Sequence, residues 1–91
     1  MNIGKTITTI RAIKGINQLE LSKLINISQT SLCKIEKGNA PHVKSLESIC
    51  NALHINIAGV YALSMEEIDF PEEKRDKFKE FNDLVKDIFL K

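Results

Sequence analysis

The sequence predicts an all-α fold: five short helices forming one head, with an additional C-terminal amphipathic helix. Three observations lead there. Apolar residues recur at helical spacing along the 91-residue chain, and no useful stretch alternates with the period of two that marks a strand. Helix-capping side chains precede the apolar runs, and Gly or Asn follows several of them. The length suits one domain and little more.

The first helix is expected over residues 3–14, with Ile3, Ile7 and Ile10 on one face, Asn2 as its cap and Gly15 at its end. Asn17 then stands three residues before Glu20, a capping-box pattern that opens a short second helix over 18–25. Asn26 follows in a turn, and Asn tolerates the left-handed conformation better than other non-glycine residues. Ser28 caps a third helix over 29–37, and Gly38 stops it. Asn39-Ala40-Pro41 reads as a turn. A fourth helix over 43–53 carries Val43, Leu46, Ile49, Cys50 and Leu53 at helical spacing. Asn56 can cap a fifth helix over 57–63. An acidic connector, 64–70, leads to Pro71, which suits the first position of a helix, with Glu72 and Glu73 favourably placed on its dipole. The sixth helix is expected over 71–90, with one apolar stripe of Phe78, Phe81, Leu84, Val85, Ile88 and Phe89. The chain therefore divides into a head, 1–63, and a tail, 64–91, read as a dimerisation element.

Residues 17–38, NQLELSKLINISQTSLCKIEKG, carry the functional signal. Two short helices joined by a tight turn need a small residue where they touch, and Ser22 stands there. They need a left-handed turn residue, supplied by Asn26, and apolar anchors, supplied by Leu21, Ile25, Ile27, Leu32 and Ile35. They need an N-cap at Ser28 so that the next helix begins cleanly. The segment resembles the helix-turn-helix of the lambdoid phage repressors, Cro proteins and the wider Xre group. The resemblance runs from Ile3 to about Leu63. The matching positions are Gln18, Leu21, Ser22, Asn26, Ile27, Ser28, Ile35, Glu36 and Gly38. Ser22 stands where the family pattern has Ala, and Asn26 where it has Gly; both meet the same physical requirement.

The resemblance implies a five-helix, repressor-like DNA-binding head whose third helix lies in the major groove of double-stranded DNA. By position Gln29, Thr30 and Lys34, with Ser28 beside them, would face base edges. Gln can bond adenine N6 and N7, Lys can donate to guanine, and a Thr methyl can touch that of thymine. Gln18, helped by Asn17, would meet a phosphate, and Lys37 and Lys44 would flank the backbone path. In the family pattern the positions of Arg11 and Glu36 form an ion pair tying the first helix to the end of the third.

The charge distribution agrees with such a partner. The chain's net charge is only +1. Residues 1–63 hold seven Lys or Arg against three acids, and residues 64–91 hold six against nine, so a basic head precedes an acidic tail. No apolar run reaches the roughly 20 residues a membrane span needs, and the N-terminus has no signal-peptide pattern, so a cytoplasmic protein with no membrane contact is expected. Cys33 and Cys50 then read as reduced thiols. With His42 and His54 they fit no metal-ligand spacing, and Cys50 lies on the apolar face of its helix. No paired carboxylates, Cys/His couple or Gly-rich phosphate loop argues for an enzyme, and no cofactor is implied.

The tail stripe must be covered, either by packing back on the head or by pairing with a second copy of the chain. A homodimer using Val60, Tyr61 and the stripe is the leading expectation, because two third helices one duplex turn apart need something to hold them. Burying half the stripe, about 300 Å² per chain, would contribute on the order of 7 kcal/mol before association costs. The tail's acidity would keep it away from the DNA face. The alternative reading, from another class, is a protein-interaction module, such as an antitoxin-like partner acting through its C-terminal helix.

Overall fold

The structure, a computed structural model, describes residues 1–90. Six α-helices follow one another: α1 Ile3–Ile13, α2 Gln18–Leu24, α3 Gln29–Glu36, α4 Val43–Leu53, α5 Ile57–Ser64 and α6 Phe78–Leu90, with 3₁₀ segments at Glu67–Asp69 and Glu72–Lys77. No strand occurs among the described residues.

The helix starts are set by side chains that accept from the first free backbone N–H groups. Asn2 accepts from Lys5 N, Ser28 from Ser31 N and Asn56 from Ala58 N. At α2 the box is reciprocal: Asn17 Oδ1 accepts from Glu20 N at 2.8 Å, and Asn17 N donates to Glu20 Oε1 at 3.3 Å. Gly15, Asn26, Gly38 and His54 take positive φ after α1, α2, α3 and α4. His54 was not legible as a left-handed cap, because histidine signals that conformation far more weakly than Gly or Asn.

The core joins α1 to α5. Ile7, Ile10, Leu21, Leu32, Leu46, Ile49, Cys50, Leu53 and Val60 are buried together. The α2–α3 crossing is tight because Ser22 is small and satisfied. Its Oγ donates to Leu19 O at 2.7 Å, and its own carbonyl accepts from Ile27 N at 3.0 Å across the turn. A second close approach lies between α1 and the end of α3. A Cβ on Gly4 would stand 2.5 Å from Ile35 O and 2.7 Å from Glu36 O. The start of α1 is also tied to the end of α5, where Asn2 N donates to Ser64 O at 2.9 Å.

The tail departs from expectation in three ways. First, residues 72–77 form a 3₁₀ segment, and the α-helix begins only at Phe78. Pro71 lies outside, with an extended ψ of 141°. The run Glu72-Glu73-Lys74-Arg75-Asp76-Lys77 has no apolar side chain to bury, so packing does not favour the wider helix there. Phe70 meanwhile turns its ring onto Phe78 and Phe81, with centroids 5.6 and 5.2 Å away, both edge-on. Second, the stripe is divided between two faces. Val85 is buried, the Phe89 ring lies where a Cβ of Gly59 would stand, and Leu90 packs against the head core. Leu84 and Ile88, one turn apart, each stay 59% exposed. Third, Val60 is only 1% exposed. Val60 and Val85, expected at a dimer interface, are therefore spent on the chain's own packing, and Phe89 is largely so. No described helix is long and apolar enough to cross a membrane.

Candidate nucleic-acid interface

The site begins with the first turn of α3. Ser28, Gln29, Thr30, Ser31 and Lys34 are all exposed, while Leu32 on the opposite side is fully buried. One apolar anchor facing the core thus turns a row of short polar side chains outward. Ser28 is committed to its cap. Its Oγ accepts from Ser31 N at 3.0 Å and donates to Ser31 Oγ at 2.8 Å. The hydroxyl hydrogens left free at this turn accordingly belong to Thr30 and to Ser31, the latter not singled out by the sequence reading. The Ser28/Ser31 spacing of three residues is the signal that could have found it.

Behind this turn lies a polar network. Arg11 Nε donates to Glu36 Oε2 and Arg11 Nη2 to Glu36 Oε1, each at 3.0 Å, a two-point contact. The side chains are 16% and 6% exposed. Arg11 Nη1 also donates to Ile16 O at 3.1 Å, so one guanidinium binds α1, the α1–α2 turn and α3. Glu36 Oε1 accepts from Thr8 Oγ1 at 3.0 Å and from Gln18 Nε2 at 3.3 Å. Burial pushes the Glu36 carboxyl upward. Hydrogen bonds from Arg11 and Thr8, and the charge of Arg11, outweigh that and hold it below its ordinary value.

Gln18 carries the network outward: its Oε1 accepts from Gln29 Nε2 at 3.3 Å. The structure thus brings Gln18 and Gln29 together across the α2–α3 turn and connects both to the Arg11–Glu36 pair. Asn17 has its Oδ1 in the α2 cap, leaving its NH₂ group outward. Lys37, at the end of α3, and Lys44, in the first turn of α4, are exposed cations. Thr8 and its bond to Glu36 were not anticipated; Thr8 lies three residues before Arg11 and so shares its face of α1. Cys33 is half-buried, and burial raises the Cys50 thiol above its usual value. Among the described residues no three His, Cys, Asp or Glu lie together as a metal site would require.

Two helices crossed on a small residue, with the second exposing a capped polar turn, define the helix-turn-helix class. A family model described as helix-turn-helix matches residues 5–60, and the chain belongs to that family. It is also similar to the immunity repressor protein of Bacillus phage phi105, at 26% identity over 94 residues. That match covers 97% of this chain and 65% of the phage protein, so the chain spans just under two-thirds of its relative's length.

Proposed function

We propose that the chain is a sequence-specific, double-stranded DNA-binding transcriptional regulator that reads the major groove with α3. The observation that carries this is the exposed first turn of α3, whose leading side chain, Gln29, is held by Gln18 and through it by a buried ion pair. Gln29, Thr30 and Lys34 read bases, with Ser28 and Ser31 shaping the turn. Gln18, Asn17, Lys37 and Lys44 meet the sugar-phosphate backbone. Family membership and the likeness to a phage immunity repressor support the same reading.

Selection of binding sites from random duplexes, followed by two variants, tests it. Gln29→Ala should cost roughly 1–3 kcal/mol on the selected site and little on random DNA. Lys44→Ala should weaken both about equally. Equal losses for both variants on both DNAs would refute this division of base and phosphate contacts.

The working form is a homodimer on a symmetric operator. With Val60, Val85 and Phe89 engaged within the chain, the interface rests on Leu84 and Ile88, with Tyr61, Phe78 and Phe81 at its margins. Burying the exposed parts of Leu84 and Ile88 from two copies would contribute on the order of 5 kcal/mol, which falls within the cost of association itself. The dimer is accordingly weak in solution and completed on DNA. The same acidic, partly apolar face favours one other reading, a protein partner bound through α6.

A further inference from the structure

The hydrogen-bond chain that starts at the Arg11–Glu36 pair ends on the exposed amide of Gln29, and its polarity is forced at every step. An ionised carboxylate can only accept. Glu36 Oε1 takes Thr8 Oγ1 and Arg11 Nη2 at 3.0 Å each, and Gln18 reaches the same oxygen at 3.3 Å, so Gln18 must turn its NH₂ group inward. Gln18 Oε1 is then left facing α3, where only a donor can meet it, and Gln29 Nε2 does so at 3.3 Å. Gln29 therefore has one amide hydrogen committed to Gln18. It offers the groove one acceptor, Oε1, and one donor, the remaining N–H.

We infer that Glu36 is a specificity-determining positioning residue: acting through Gln18, it fixes the Gln29 amide as one donor plus one acceptor and so selects adenine over guanine at the base Gln29 reads. Adenine presents an acceptor at N7 and a donor at N6 to the major groove, which matches that pair. Guanine presents two acceptors, N7 and O6, and would need both hydrogens of the amide. Without the relay, an exposed glutamine could turn its amide over and give both hydrogens to guanine. The discrimination thus originates in a carboxylate buried behind the recognition surface. This inference rests on the reading of α3 as the recognition helix, and the test separates the two.

The experiment uses the full chain and two duplexes: the selected site, and the same site with the A·T pair read by Gln29 replaced by G·C. For the unmodified protein the ratio of affinities should favour adenine at least about tenfold, the equivalent of about 1.4 kcal/mol. Glu36→Gln can offer Gln18 either end of its own amide, and its ratio should fall to about threefold or less. A role confined to holding the fold would weaken both duplexes alike and leave the ratio where it was. Gln18→Met, which keeps the Arg11–Glu36 pair and removes only the relay, is read by the same ratio and serves if Glu36→Gln fails to give a cooperative melt. A folded Glu36→Gln or Gln18→Met protein whose ratio stays within twofold of the unmodified value overturns the inference. If Gln29→Ala itself leaves the ratio unchanged, the assignment of Gln29 as a base reader falls, and this inference with it.

Discussion

Glu36 is the residue on which the head turns, because α1 and α2 both send donors to its carboxylate at the end of α3. Removing either member of the ion pair leaves the other poorly compensated. Arg11→Ala should therefore destabilise by on the order of 2 kcal/mol, above the roughly 0.2–1 kcal/mol of an exposed pair, as read from chemical denaturation. The pH dependence follows from the carboxyl's position below its ordinary value in the folded chain, where burial opposes ionisation and the Arg11 and Thr8 hydrogen bonds overcome it. Its contribution is fully present above about pH 4.5, the region of an unperturbed Glu, and is lost as pH falls through the lower folded value. Between about pH 5 and pH 3 the unmodified protein should lose more stability than Glu36→Gln; equal losses would mean that the folded carboxyl is not depressed. What was legible at this scale was local or came through resemblance. Asn17 with Glu20 and Ser28 with its own helix are three residues or fewer from their partners. Arg11 and Glu36 could be named together only because the motif resembles a known family. The bonds from Thr8 and Gln18 to Glu36 bridge 28 and 18 residues of sequence, and no spacing rule carries that information.

Helix ends show the same division between local and tertiary control. The starts of α1, α2, α3 and α5 were readable because each is written in one capping side chain. The start of α6 was not, since Pro71, Glu72 and Glu73 are good first-turn residues whose preference is overridden by Phe70 packing on Phe78 and Phe81. The burial of Val60, Val85 and Phe89 was equally hidden: periodicity shows that a stripe exists, not which part of it meets α5. Two glycines test how the elements touch. Gly4→Ala would drive a methyl to 2.5 Å from a backbone carbonyl, which cannot swing aside, so α1 and α3 must separate. A loss of about 2–3 kcal/mol is expected, measured by thermal or chemical unfolding. The nearest atoms to a Cβ on Gly59 belong to the Phe89 ring, a side chain that can swing aside, so Gly59→Ala should cost less globally while freeing α6. Amide hydrogen exchange should then quicken in α6 and stay slow in α1; uniform protection would mean that α6 is not seated through that ring. His54 sits at φ 54°. Relieving that left-handed geometry with His54→Gly should leave stability unchanged or raise it by up to about 1 kcal/mol, despite the added chain entropy of glycine.

At the scale of the whole molecule, the basic head is proposed to meet nucleic acid and the acidic tail to serve self-association through the exposed Leu84 and Ile88. Binding to a duplex with two half-sites should be cooperative, and Leu84→Glu with Ile88→Glu should abolish the cooperativity while a single half-site is bound as before. Unchanged cooperativity would move the dimer contact elsewhere. The central claim, that this chain grips a nucleic-acid backbone while reading its bases, is tested most directly by salt. Neutralising about five phosphates across a dimer releases their counterions, so log K on the selected duplex should fall linearly with log salt at a slope between about −4 and −5. Mobility shifts or fluorescence anisotropy at several salt concentrations give that slope. A value in that range supports the account, and a flat response would contradict it.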